Sequence, residues 1–444
     1  MNHKMLVLIC LALSLNLFAK EISLSEAQNL AKKQNRSMKN SEYSLRSAEW
    51  QKKNALTQFF PKITLNETAV RFDKEQIIMP SFTIGAFTIP ESKMPKQNYT
   101  TELNINQTLF TGGKLFLNYR ISSLLLKQSA IAGRISEQDI ELSTAGLYFQ
   151  ILKINDLISL MEESRKSYKD HYDKALIKQK NGTALMSEVL QWKLKYEESE
   201  STVKSLNSTK SVLLQSWKLQ LGLNNTDEIP VPSIIQISDF LPEIKELNNL
   251  NDSQRNTIIQ ETLTKSKINN NNLKSVKLSK KILDNSILMS KTDFLPTLAL
   301  NYNYQFENDN KLNFSGNENW KIIAYLSVPL FNSGSVYTSS KMKEFEIKKQ
   351  MNELEYYEDQ TDLLIRKTQT EKFDLADKIN TDITNLELAN ENKRQISQLL
   401  NQGMLTFNDQ MDSELLYLSV YTAYISDIYD FLYKRYELIN LSED

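Results

Sequence analysis

The side chains able to do chemistry are few, and their spacing limits what they can do. Two carboxylates, Asp409 and Asp412, stand three residues apart in Phe407-Asn408-Asp409-Gln410-Met411-Asp412. On a helix that spacing puts both on one face, where they repel one another and attract cations. The same spacing also suits an ordinary helix N-terminus, where Asp is common. The chain has 2 His and 1 Cys. His3 and Cys10 fall within Met1–Ala19, which reads as a secretory signal segment. Lys4 supplies its positive start, Met5–Leu13 its apolar run and Leu17-Phe18-Ala19 its cleavage site. Ile9 sits where a lipidation site wants a small residue, so Cys10 is not read as an acyl acceptor. Removal of the segment leaves His171 and no cysteine, which excludes a disulfide framework and a thiolate metal site. His171 lies in a charged helical stretch and reads as a surface residue. No phosphate-binding loop is present. The chain is therefore not expected to be an enzyme or to hold a cofactor or metal. Its net charge of −1 gives no nucleic-acid footprint.

The elements that must position these residues are long. Among 444 residues there are only 10 Gly and 9 Pro, too few for turn-rich sandwiches, propellers or Gly-rich loops. Only Gly133 and Gly146 interrupt the stretch from Gly113 to Gly182, and Ser335–Gln402 holds neither Gly nor Pro. Helices of that length, on the order of 100 Å each, must pack along one another. Tyr119, Leu126, Gly133, Ile140, Leu147, Ile154, Met161, Tyr168 and Ala175 recur every seven residues, with Ser122, Ser129, Ser136 and Ser143 three residues after the first four. A sustained heptad predicts coiled-coil packing, and the small serines predict close helix approach. The second long helix fits less regularly, because Thr361, Thr368 and Asp382 interrupt its apolar series, so part of its face is expected to meet water.

The chain also repeats itself. Phe59-Phe60-Pro61 is matched by Phe294-Leu295-Pro296, Leu109-Phe110-Thr111-Gly112-Gly113 by Leu330-Phe331-Asn332-Ser333-Gly334, and Asn181-Gly182 by Gln402-Gly403, in the same order. One supersecondary unit used twice explains this. Each unit should open with a capped amphipathic helix, at Ser23-Leu24-Ser25-Glu26 and Thr257-Ile258-Ile259-Gln260, ended by Pro61 or Pro296. Two strands follow in each unit, at about 61–72 and 98–110, then at about 296–307 and 320–331. Leu298, Leu300, Tyr302, Tyr304 and Phe306 alternate with polar residues, as do Leu103 and Ile105, while Glu67 breaks the pattern of its strand. One apolar face on strands of ~10 residues suits a transmembrane barrel. Four strands cannot close one, since ~8 is the minimum, and an open edge in lipid is forbidden. The barrel must then be shared between chains. The expected organisation is 1–19 signal segment, 20–222 first repeat, 223–256 linker with a short strand at Ile234–Ile237, and 257–444 second repeat.

The ordered joints and Gly turns, taken together, resemble the TolC-type outer membrane efflux protein family over essentially the whole mature chain. The fold class implied is an α+β membrane protein. Three chains would build a twelve-stranded transmembrane β-barrel, with four strands per chain. A long α-helical coiled-coil barrel would continue it through the periplasm. The function implied is a passive outer-membrane exit duct of a tripartite efflux or type I secretion system, for small molecules or proteins. The partners implied are two further copies of the chain, a periplasmic adaptor (membrane fusion) protein, an inner-membrane transporter and outer-membrane lipid.

The resemblance makes Asp409 and Asp412 a periplasmic aperture gate, with Glu188 a weaker lining at the corresponding place in the first unit. It makes Gly182, Thr183, Ala184, Gly403, Met404 and Leu405 the helix tips that meet the adaptor. Leu405 stands where the family's best-known form has a basic residue that ties the closed tips, so that network is not carried over. Loop 73–97 should face outside the cell, and its apolar run is compatible with folding over the barrel mouth or with extending the barrel. A soluble periplasmic coiled-coil adaptor or structural protein is the alternative, distinguished by whether the strand faces meet lipid.

Overall fold

The computed structural model describes residues 21–224, 226–308, 314, 316–331, 333–402 and 404–442. The signal segment lies outside them. In chain order the elements begin with β1 (Glu21–Ile22), α1 (Leu24–Gln34), α2 (Arg36–Thr57) and β2 (Lys62–Arg71). Four short strands follow, β3 (Gln76–Met79), β4 (Phe82–Ile84), β5 (Phe87–Ile89) and β6 (Ser92–Met94). Next come β7 (Gln97–Thr111), α3 (Lys114–Lys180), α4 (Met186–Gln220), β8 (Val231–Pro232) and α5 (Leu241–Asn248). The chain ends with α6 (Asp252–Asn269), α7 (Asn271–Lys291), β9 (Thr297–Asn308), β10 (Asn317–Ser327), α8 (Ser335–Asn401) and α9 (Phe407–Ser442). Two compact units result. One comprises the residues up to Glu42, Gly133–Asn271 and those from Glu358 onward; the other comprises Tyr43–Ala132 and Asn272–Tyr357.

The second unit is organised by a four-stranded antiparallel sheet in the order β10-β9-β7-β2. Beyond β2 and β7 the chain stays paired: Phe72 N–H donates to Lys96 O at 2.8 Å, then β3 pairs with β6 and β4 with β5. The apolar loop is thus a β-ribbon continuing the β2–β7 pair, and its Ile84 and Phe87 are exposed. At the joint from β7 to α3, Gly112 has φ +64°, and a Cβ there would lie 2.6 Å from Leu295 Cβ. Only glycine accommodates both demands.

The first unit holds the main hydrophobic core. The seven residues of the α3 heptad series that fall in it, from Gly133 to Ala175, are buried or half-buried. Tyr148 meets Trp217 and Phe149 edge-on, with centroids at 6.1 and 5.9 Å, and Trp217 Nε1–H donates to Pro230 O at 2.9 Å. Gly146 is explained by close approach, because an added Cβ would sit 3.2 Å from the Tyr433 ring on α9.

Two expectations need correction. The cap at Ser23 and Glu26 forms, but Thr257 does not cap a helix. α6 starts earlier, with Asn251 and Gln254 forming the capping box, and the Thr257 hydroxyl donates back to Ser253 O. Asn251 wins because its side-chain carbonyl reaches an N–H that no helical carbonyl satisfies. The short strand of the linker is Val231–Pro232, paired in parallel with Glu21–Ile22, and Ile237 begins a 3-10 turn instead. The linker also contains a helix. α5 buries Ile244 and Leu247, and its Glu243 accepts from Lys372 Nζ and Arg435 Nε, each at 2.8 Å.

Candidate functional site

Two features are candidates for functional chemistry, the faces of the sheet and the ends of the helical hairpins. The sheet register sorts side chains by polarity. Ile63, Ile105, Tyr302 and Ile322 form one row across all four strands, and Leu65, Leu103, Tyr304 and Trp320 form the next. Side chains alternate faces along a strand, so both rows lie on the same face. The opposite face carries Thr64, Asn104, Asn303 and Lys321 in one row and Asn66, Glu102, Gln305 and Asn319 in another. Asn303 Nδ2–H donates to Asn104 Oδ1 at 2.9 Å and Asn301 Nδ2–H to Asn106 Oδ1 at 2.5 Å. Glu67, the interruption in its strand, accepts from the Thr101 hydroxyl at 2.8 Å. The apolar face is uncovered, with Trp320 and Ile63 each 62% exposed. Among the described residues, β2 and β10 each have a strand neighbour on one side only. No helix among the described residues is long and apolar enough to cross a membrane.

The hairpin ends lie in the first unit. α3 ends at a left-handed Gly182, φ +72°, where the Thr183 N–H returns to Lys178 O at 2.9 Å. Ala184 is half-buried, and Leu185 and Met186 beyond it are exposed. In the other hairpin Gly403 lies outside the described residues, Met404 is exposed and Leu405 is half-buried. Thr406 then caps α9. Its N–H and hydroxyl donate to Asp409 Oδ2 at 2.8 and 2.6 Å, and its Oγ1 accepts the Asp409 N–H at 3.4 Å. The Thr406 hydroxyl, and then its backbone N–H, hold the Asp409 carboxyl below the usual carboxylate range. Asp412 is exposed, and Glu188 is half-buried in the first turn of α4. The two hairpins are brought together by apolar side chains: Phe407 and Met411 pack on Tyr168, Ala175, Val189 and Trp192. Lys178 Nζ stands 4.8 Å from the Phe407 ring centroid.

The expectation of a surface His171 is wrong. Its side chain is only 12% exposed and points at Glu414, with Nε2 3.6 Å from Oε1. Its ring lies against Trp192, with centroids 4.6 Å apart. Ser167 Oγ and Gln410 Nε2 approach the same nitrogen at 3.3 and 3.4 Å. Glu414 is 8% exposed and also binds Lys393 Nζ at 2.9 Å. Burial alone would raise the Glu414 carboxyl, but the His171 and Lys393 contacts outweigh it and hold the carboxyl below its ordinary value. Burial pushes the neighbouring Tyr168 hydroxyl up to about 12. A sequence signal for this cluster existed: His171 continues, at seven-residue steps, the seam of Ser122, Ser129, Ser136 and Ser143, through the buried Ser164.

The comparisons agree with this architecture. A family model described as outer membrane efflux protein matches residues 27–203. Among solved structures, the chain is similar to CusC, described as undergoing conformational changes with folding and transmembrane channel formation. That match has a TM-score of 0.78 and 14% identity, and covers 96% of this chain and 94% of CusC. It is similar to the Campylobacter jejuni CmeC outer membrane channel, with TM-score 0.78, 16% identity and coverage of 94% and 85%. The Neisseria gonorrhoeae MtrE outer membrane channel in its open state gives TM-score 0.73, 13% identity and coverage of 95% and 89%. No curated relative matches the chain in sequence. The chain resembles outer membrane efflux proteins in sequence over residues 27–203 and shares the fold of outer membrane channels over nearly its whole length.

Proposed function

We propose that this chain is one protomer of a trimeric outer membrane efflux channel, a passive exit duct that performs no catalysis. The observation that carries the reading is the open sheet, whose uncovered apolar face is opposed by an asparagine-lined polar face and bounded by two unpaired edges. An exposed edge is a pairing template, and in lipid every backbone group must be satisfied. Pairing β2 of one copy with β10 of the next satisfies both edges, and three copies give twelve strands, within the range of outer-membrane barrels. The apolar rows would then meet lipid and the asparagine rows the lumen.

The order of elements supports reading residues 20–222 and 257–444 as two repeats joined by 223–256, with the helical hairpins forming the periplasmic barrel. Asp409, Asp412 and Glu188 would line its aperture. Gly182, Thr183, Ala184, Gly403, Met404 and Leu405 would meet a periplasmic adaptor that links the duct to an inner-membrane transporter of small molecules or proteins.

The test is fractionation and cross-linking of the full-length chain. The expected result is a detergent-dependent trimer in the outer membrane that Leu65→Lys or Ile322→Lys prevents from assembling. Recovery of the unaltered chain as a soluble, detergent-independent species overturns the proposal.

A further inference from the structure

We infer that the His171–Glu414 contact is a proton-controlled clasp between the two helical hairpins, tight when the imidazole is charged and loose when it is neutral. The inference rests on the channel reading above and adds a regulated element to it.

Glu414 belongs to α9, and its partner Lys393 to α8, so the 2.9 Å pair they make stays within one hairpin. His171 and Ser167 belong to α3 in the other hairpin. Their contacts to Glu414 Oε1, at 3.6 and 3.4 Å, are the ones that cross between hairpins. Against burial, the His171 contact and then the Lys393 contact hold the Glu414 carboxyl below its ordinary value. The strength of the crossing contact is then set by His171. At 3.6 Å a neutral imidazole makes no hydrogen bond to Glu414, whereas an imidazolium adds an ion pair that burial leaves little screened by salt. Histidine is the side chain whose ordinary charge change falls between about pH 5 and 8.

Aromatic and polar side chains from three helices surround the pair. The fully buried Trp192 of α4 lies against the ring, with centroids 4.6 Å apart and the planes tilted by 35°, and an indole face attracts a cation. Among the described residues, Glu414 also acts on Tyr168 of α3 and Tyr417 of α9; Tyr168 further feels Glu198 of α4, and Tyr417 feels Glu163 of α3 and Tyr421 of α9. Lys393 also lies over the Tyr417 ring at 4.6 Å. On α3 the nearby Asp170 and Lys174 pair with each other at the exposed surface. Burial holds both tyrosines in their neutral forms.

The experiment measures single-channel conductance of the full-length protein in planar bilayers at about pH 5.5 and about pH 7.5, on either side of the ordinary imidazole range. The unaltered protein is expected to open less at the lower pH by about fivefold or more, the low end of ordinary coupling to a two-state element. His171→Gln should abolish that difference. Lys393→Gln, at a more exposed position, should steepen it, because Glu414 then has only His171 as a cation. Lys393→Gln also keeps the test valid if His171→Gln fails to assemble. Conducting pores with no pH difference, or with the same difference in both variants, overturn the clasp while leaving the channel reading intact. Absence of any pore from the unaltered protein overturns the channel reading and the clasp with it.

Discussion

Asp409 and Thr406 cap α9 reciprocally, each accepting a hydrogen bond from the other's backbone N–H. This relationship separates two carboxylates that sequence spacing makes equivalent. Asp409 has its oxygen committed to the helix start, whereas Asp412, one turn on, is exposed. Asp412→Asn should therefore weaken block by multivalent cations without changing the thermal midpoint, read from bilayer currents and a melting curve. Asp409→Ala should lower the midpoint as well as alter the currents. Equal effects of the two substitutions on both readouts would count against this division of roles.

Gly112 carries the joint between β7 and α3. Alanine there must hold φ near +64° and find space within 2.6 Å of Leu295 Cβ. The backbone term alone is about 1–2 kcal/mol. Gly112→Ala should reduce trimer yield and resistance to heat, measured on unboiled gels. Gly113, where an added Cβ meets nothing within 4 Å, should tolerate alanine better.

Gly146 gives a graded prediction. An added methyl would stand 3.2 Å from the Tyr433 ring, a small overlap, and alanine gains ~1 kcal/mol of helix propensity over glycine. Gly146→Ala should be close to neutral in chemical denaturation. Gly146→Leu should cost ~1–3 kcal/mol by overpacking.

Burial, and next the neighbouring Asp427, push the Asp382 carboxyl up to about 6 from its ordinary 3.8. The folded chain therefore binds a proton between these values while the unfolded chain has released it. The stability contributed by this group is fully present below the ordinary value and is lost as pH rises through about 6. Asp382→Asn should raise the melting temperature at about pH 7.5, and that gain should vanish by about pH 4. A gain that persists in acid would argue that the substitution acts through packing instead.

Much of the fold was written in local spacing. The Ser23–Glu26 cap, the α3 heptad and the alternation in β9 were legible because periodicity and turn chemistry act over a few residues. The start of α6 was misread because Asn251–Gln254 and Thr257–Gln260 both satisfy the same short pattern, and the pattern does not say which will cap. The anchors of the linker helix α5 lie far away in sequence: Lys372 and Arg435 stand 129 and 192 residues from Glu243.

The amino-acid sequence by itself determined the long helices, the turn positions and the two-faced strands, since each depends on intervals that the backbone geometry fixes. Tertiary structure alone decided which titratable groups would share one environment. His171 meets Gln410 across 239 residues, and Ser167 meets Glu414 across 247. No local rule reaches that far, because only the packing of α3 against α9 strips water from these groups and makes their charges depend on one another.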